Sequence, residues 1–446
     1  MSSDLLSIGA SGTRAYRAAM GAVSENITNA TTEGYNRRTV QLGESPASAT
    51  TSRFYKPGVA FGGVDVVSVV RKTDDYLDLA ARLASSNYEK ADARATWLGN
   101  IQTALDDGSL GVGQRMTSMF SAVEMLAANP TDVTRRTNVL FAVEQVNTAF
   151  KQTIEDLHNV KSGIITEAGN EVHALNSAAE RLASTNEALR RAIPGSSNQA
   201  QLFDQRDEAL VDIAKRLNVT VSYGENGAAS VSFEGKKLVD NIDVTAMEVN
   251  AASDGTLSFA VGGAAVGQPG TGSLAGLVGS AEVNADRVTA VNDLATKYKD
   301  DMNGWHKAGL IGAPPSQNGD NILSMSGDAS TLTLLITDTA KLATYSADGR
   351  TNGNLVNITS IRDEDGVENG WTAIISTHAN MLAATNAELS AASSRDQQAQ
   401  AARADVSGVD LDREAADLMR LQQAYQGSAR IIQVARETLD AIFAIF

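Results

Sequence analysis

The chain has 446 residues, 37 Lys and Arg against 53 Asp and Glu, a formal net charge of −16, 43% hydrophobic residues, no cysteine and four histidines. This balance supports sizeable cores and excludes disulfides and thiol chemistry, while the negative charge and the lack of a Lys/Arg-rich run disfavour nucleic acid and anionic lipid as partners. Only 5% of residues are aromatic, which suits long helices packed through small side chains and predicts an elongated, multi-domain molecule.

At the N-terminus, Met1–Gly12 lacks a charged leader followed by an apolar run, so no Sec-type signal is expected. No segment approaches the roughly 18 apolar residues of a membrane-spanning helix. Leu5, Ile8, Gly12, Tyr16, Ala19, Val23 and Ile27 recur at three and four, one apolar stripe on a long helix whose small residues permit close approach. Asp74 to about Leu105 reads as a helix ended by Asp107-Gly108, and about Gln114 to Ala128 as another, stopped by Asn129-Pro130. Pro130 can also open the next helix, which runs through Val139, Val143, Val146 and Phe150 and completes a helical hairpin. Ile154, Leu157, Ile165, Ala168, Val172, Leu175, Ala179, Leu182 and Leu189 extend its stripe to Pro194-Gly195, a length natural for a bundle.

The texture changes at Val219. Val219, Val221 and Tyr223 alternate with polar residues, Gly224-Glu225-Asn226-Gly227 turns, and Val231 and Phe233 alternate again, which predicts a β-hairpin. Gly-rich, strand-like sequence continues to about Gly272, and Leu274 to Lys307 returns to helical spacing. A second strand-like region covers about Ile311 to Ile361, where Leu332, Leu334 and Ile336 alternate, before Trp371 to Ala404 turns helical. In the last 36 residues Leu411, Leu418, Tyr425, Ile432, Leu439 and Phe446 recur every seven, with Leu421, Ala435 and Ile442 three positions further on. The fold class expected is mainly α with inserted β, the two terminal helices pairing into a coiled-coil-like core. Residues 1–40 with 405–446 form a terminal assembly domain, 41–218 with 273–310 and 362–404 a helical bundle, and 219–272 with 311–361 a β-rich outer region.

No catalytic constellation emerges. Gly270-Thr271-Gly272 with Gly276 opens a helix as a pyrophosphate cradle would, but the βαβ frame and a ribose-holding acid are missing. His158, His173, His306 and His378 are scattered without metal-ligand spacing, and Asp363-Glu364-Asp365-Gly366 lacks the remaining ligands of a calcium loop and reads as an exposed acidic turn. Leu202-Phe203-Asp204-Gln205-Arg206-Asp207-Glu208 reads as a solvated or bundle-bridging ion-pair face, with Asp204 and Glu208 reaching basic residues about a turn away. Neither enzyme activity, a cofactor nor a metal is expected.

Both ends carry a more specific pattern. Asn26-Ile27-Thr28-Asn29-Ala30-Thr31-Thr32-Glu33-Gly34-Tyr35-Asn36-Arg37 closely resembles the N-terminal signature of the axial proteins of the bacterial flagellum, and Gln422-Gln423-Ala424-Tyr425-Gln426-Gly427-Ser428-Ala429-Arg430-Ile431-Ile432 resembles their C-terminal counterpart. Within that superfamily the alternatives are the hook protein and the hook-associated FlgK family, which joins hook to filament. The FlgK family is favoured by Asn129-Pro130-Thr131-Asp132 leading to Arg135 and Arg136, by Asp204-Gln205-Arg206-Asp207, by Gly272-Ser273-Leu274-Ala275-Gly276-Leu277, and by Asn303 with His306 and Gly309. The stretch from Leu411 to Leu418 resembles it too, whereas Asn352-Gly353-Asn354-Leu355 departs from its fuller Gly-Asp-Asn run.

The resemblance implies a polymer-forming building block, exported unfolded through the flagellar type III channel on an uncleaved signal and residing in the extracellular flagellum. Its family-motif residues are Asn26, Asn29, Gly34, Tyr35, Gln423 and Tyr425. The seams make Leu5, Ile8, Tyr16, Val23, Ile27, Leu411, Leu418, Leu421, Tyr425, Ile432, Leu439 and Ile442 the expected assembly interface, since a lone amphipathic helix cannot bury its own stripe. The partners implied are further copies of the chain, the hook protein, a second hook–filament junction protein and an export chaperone on the C-terminal helix. The competing readings are a non-flagellar coiled-coil binding protein and an enzyme carried on the β insertion.

Overall fold

The computed structural model describes residues 2–45, 62–105, 108–363 and 365–444; Asp107, Glu364 and Phe446 fall outside them. Helix α1 (Ser2–Thr28) leads into an antiparallel hairpin of β1 (Arg38–Glu44) and β2 (Val64–Arg71). Four helices follow: α2 (Asp75–Ala104), α3 (Val112–Ala128), the 59-residue α4 (Val133–Arg191) and α5 (Ser197–Arg216). Strands β3 (Thr220–Tyr223), β4 (Ala229–Phe233), β5 (Lys236–Asp240) and β6 (Asp243–Val244) make an antiparallel four-stranded meander. A three-stranded sheet follows, of β7 (Met247–Ala251), β8 (Leu257–Val261) and β9 (Ala264–Val266). The rest comprises α6 (Ser273–Ala308), the short β10 (Leu323–Ser324) and β11 (Thr333–Leu334), the single turn α7 (Gly353–Val356), α8 (Val367–Ser407) and α9 (Leu411–Phe443).

Three local expectations change. Residues 38–71 lie largely in the range read as helical bundle, yet the β-branched run from Val64 to Val70 pairs with Arg38–Glu44 because such side chains fit a pleated surface better than a helix. Pro130 sits in a turn and does not open α4. Asp132 does so, its Oδ1 accepting from the N–H groups of Thr134 (2.9 Å) and Arg135 (3.2 Å), a pairing of first-turn donors that proline cannot supply.

The strand-like region 311–361 is mostly irregular, with two-residue strands and single helical turns. Side chains rather than neighbouring strands satisfy much of its backbone. Asn303 Oδ1 accepts from Ile322 and Leu323 N–H at 2.8 and 2.9 Å, while its Nδ2 donates to Leu323 C=O. His306 Nε2 accepts from Ala343 N–H (3.1 Å), which leaves the proton on Nδ1 to donate to Asp320 C=O (2.6 Å). Asn354 Nδ2 donates to Ala343 C=O, and Arg136 to Thr339 C=O.

The chain divides into two compact units, Met1–Ser86 with Ala174–Met247 and Ser393–Phe446, and Asn87–His173 with Glu248–Ala392. We call them the terminal and the central unit. The central unit holds a continuous apolar core that includes Leu98, Met116, Leu126, Ile154, Leu157 and Met302. Phe150 is its hub, stacked on Tyr298 at 5.7 Å and edge-on to Trp371 at 6.5 Å. The glycine pattern before α6 serves packing here: a Cβ on Gly276 would sit 2.4 Å from the Lys90 carbonyl oxygen, so glycine lets α2 and α6 touch backbone to backbone. Among the described residues no helix is long and apolar enough to cross a membrane, and no group of three His, Asp or Glu could hold a metal.

Candidate functional site

Within the terminal unit, α1 and α9 lie antiparallel. A Cβ on Gly9 would meet Ile432 Cγ1 at 2.6 Å, one on Gly12 would meet Ser428 Oγ at 2.6 Å, and Asn26 bonds Glu414 at the far end. The close approaches fall where side chains are smallest, at Gly9 and Gly12, and Ala15, Ala19 and Ala22 on α1 and Ala435 on α9 are buried. Asp410 caps α9 by accepting from Asp412 and Arg413 N–H, and the acids Asp412 and Glu414 in the first turn suit the positive end of the helix dipole.

At the closed end of this pair the N-terminal motif folds into a polar knot. Gly34 takes a φ of +77°, open to glycine at little cost, and the chain after α1 reverses there. The reversal brings Tyr35 to Arg38 back over Asn26, whose side chain is fully buried. Both hydrogens and both lone pairs of its carboxamide are used: Nδ2 donates to Arg38 C=O and to Glu414 Oε2 (2.9 Å each), and Oδ1 accepts from Arg38 N–H (2.9 Å) and Tyr35 OH (2.8 Å). Arg37 Nε pairs with the other oxygen of Glu414 at 2.5 Å, and its terminal nitrogen reaches Asp417 at 3.3 Å. The Glu414 carboxylate is wholly shielded from solvent. Arg38 stacks on the Tyr35 ring and pairs with Asp204 (2.8 Å) and Glu25 (3.1 Å).

Burial alone would lower the Arg38 pKa, but the hydrogen bond and charge of Asp204, helped by Tyr35 and Glu25, leave it raised. Burial, assisted by the charges of Glu25, Asp204 and Glu414 and opposed by Arg38, pushes the Tyr35 phenol up to about 12, so it stays protonated and donates.

Asp204 is thus neither solvated nor paired a turn away. It accepts from Asn36 Nδ2 (2.8 Å) and binds Arg38 and Arg71, while Asp207 binds Arg71 and Arg206, tying α5 to the hairpin and the motif. The charged run read from the sequence is a bridge whose cationic ends lie about 170 and 130 residues upstream, beyond any helical-spacing rule.

The expected interface residues separate into three sets. Val23 is buried; Ile8, Tyr16, Ile27, Leu418, Leu421, Ile432 and Leu439 are partly covered; Leu5, Leu411, Tyr425 and Ile442 remain exposed. Among the motif residues, Asn29 closes the end of α1 on Glu25 C=O, and Gln423 faces outward. Met419, Ile431 and Val434 are exposed on α9 as well, with Val434 55% open to solvent, and the heptad reading overlooked them because they lie off its stripe. Glu414 was also overlooked, although the sequence holds a signal for it. It occupies the column of Leu421, Ser428, Ala435 and Ile442, and a carboxylate in an apolar column needs a buried partner.

Termini that close on each other through a small-residue seam and a charged knot define a helical protein whose two ends form one structural element. Residues 98–321 match the family described as the flagellar hook-associated protein FlgK helical domain, and residues 403–445 match the flagellar basal body rod FlgEFG protein C-terminal family. Flagellar hook-associated protein 1 of Bacillus subtilis is 24% identical across 96% of this chain and 95% of its own length. Its namesake in Salmonella typhimurium is 25% identical across 69% of this chain and 57% of its own length. A solved structure, the flagellar hook junction protein FlgK from Burkholderia pseudomallei, superposes on 55% of this chain and 46% of its own with a TM-score of 0.48 at 19% identity. The chain belongs to the flagellar hook-associated FlgK family.

Proposed function

We propose that this chain is a structural, non-enzymatic component of the flagellum that joins hook to filament and assembles through its paired terminal helices. The observation that carries the reading is the state of α9. One side is closed by α1, while Leu411, Met419, Val434 and Ile442 stay in water. Each such side chain gains roughly 1.5–3 kcal/mol when a neighbour covers it. Heterologous contacts between copies build a helical tube rather than a closed pair. Surfaces above and below then have to accept the hook protein and a second junction protein. An export chaperone would shield the same C-terminal stripe by a helix-in-groove contact before secretion through the type III channel.

Two substitutions separate folding from assembly. Ile432→Asp places charge against Gly9 and opens the intramolecular pair, so incorporation into flagella is lost while the central unit stays folded. Val434→Asp alters only an exposed position: the purified chain should melt within about 0.5 kcal/mol of the parent, yet fail to complement a strain lacking the gene, which electron microscopy would show as hooks without filaments. Normal filaments with both variants would remove the terminal helices from the assembly surface. Deleting 411–446 should abolish chaperone binding, and retained affinity would place that contact elsewhere.

A further inference from the structure

The apolar seam by itself does not determine how α1 and α9 are aligned. One column of α9 reads Glu414, Leu421, Ser428, Ala435, Ile442, and the facing column of α1 reads Leu5, Gly12, Ala19, Asn26. In the observed register Gly12 faces Ser428 and Asn26 faces Glu414, which sets Ala19 opposite Leu421 and Leu5 opposite Ala435. Slipping α9 by one heptad, about 10 Å along its axis, would set Leu5 against Ile442, Gly12 against Ala435 and Ala19 against Ser428. Each layer again places small or apolar side chains together.

Only the last layer resists. Asn26 would meet Leu421, and the Glu414 carboxylate and the largely buried Arg37 guanidinium would lose each other. A buried polar group in an otherwise apolar helix seam fixes alignment at some expense in stability, because every other register strands a charge.

We infer that Asn26, Arg37 and Glu414 are positioning residues that select the observed register of the terminal helix pair over the heptad-slipped one that the seam would also accept. The inference rests on the reading of that pair as the assembly element, since register matters most where copies must match. The knot therefore decides how far along α1 the exposed residues of α9 are presented to a neighbour, while the small-residue seam supplies contact without choosing.

The native chain has no cysteine, so introduced pairs report register without background. A Cβ at position 12 lies 3.2 Å from Ser428 Cβ, close to the roughly 3.5–4.5 Å of a disulfide. Gly12→Cys with Ser428→Cys therefore reports the observed register, and Gly12→Cys with Ala435→Cys reports the slipped one. In the parent only the first pair should crosslink under mild oxidation. In a background of Asn26→Leu, Arg37→Met and Glu414→Leu, the second pair should rise about tenfold or more relative to the first, with helix content by circular dichroism retained. Crosslinking through the first pair alone in that background would overturn the inference, and so would loss of the helices, which would make the knot a fastening rather than a selector. Glu414→Gln keeps the shape and removes the charge; it should raise the slipped product measurably, and an unchanged ratio counts against the inference. All of this is read on the purified chain, so a failure of the assembly reading, seen as normal filaments with both Ile432→Asp and Val434→Asp, is a separate result.

Discussion

The central core and the paired terminal helices are held together in opposite ways. The central unit gathers Phe150, Tyr298, Trp371 and the aliphatic side chains around them into one dry core. The terminal unit buries Leu182, Ile213, Val231 and Phe233 as well, but its end helices carry glycine and alanine where they meet, close at the far end through a buried charged knot, and leave Leu411, Met419, Val434 and Ile442 in solvent. A close-packed core needs nothing from outside, whereas a thin seam with an apolar outer edge is finished only by another molecule. The contrast separates an apolar core that is closed within the chain from a helix pair that leaves apolar side chains uncovered.

The comparison breaks most sharply at Phe150. Phe150→Ala should cost the central unit about 3–5 kcal/mol, seen as an earlier near-ultraviolet melt, while hydrogen exchange in α1 and α9 is unchanged. Glu414→Ala is the converse test. It removes the partner of a buried Arg37 that retains Asp417, and should cost roughly 2–3 kcal/mol locally, with faster exchange in both terminal helices and none in the central core. Equal effects in both units would mean that they do not stabilise themselves separately. Tyr35→Phe deletes the donor to Asn26 Oδ1 and should cost about 1 kcal/mol by urea denaturation of the terminal unit.

The smallest effect is a pH dependence confined to the central unit. Burial, the largest influence on each, holds His306 and His378 below the ordinary imidazole value, which is about 6.5. As the pH falls through that value the unfolded chain takes up protons that the folded one still refuses. Stability is therefore fully present above it and declines toward the depressed folded values. Urea midpoints at about pH 7.5 and about pH 5.5 should show that decline, and His306→Asn should lessen it. Identical declines would assign the effect to other groups.

Much of this contrast was legible in the sequence. The heptads of α9 and the three-and-four stripe of α1 announce helices that pair, because periodicity is local and long helices repeat it many times. The end motifs gave the family. The hairpin of β1 and β2 was not legible in a stretch read as helical, since each strand is short and its partner lies some 20–30 residues away. Segment 311–361 misled for another reason: alternating Leu332, Leu334 and Ile336 mimic a strand, but the segment's backbone is held at Ile322, Leu323 and Ala343 by the side chains of Asn303, His306 and Asn354, which no period reveals. The knot was half visible. Asn26, Tyr35 and Arg37 stood in the motif, but their acid lies 388 positions from Asn26, and only its place in an apolar column gave it away.

The irregular course of 311–361 has a consequence for crowding. Regular strands of useful length would offer a ladder of unsatisfied amides and carbonyls to any adjacent copy, a hazard where many identical chains are stacked at high local concentration. Pegging that backbone to amide and imidazole side chains on the chain's own helices leaves β10 and β11 two residues long, too short to template a stray pairing. Wherever other chains come near, the segment offers them little open ladder to pair with.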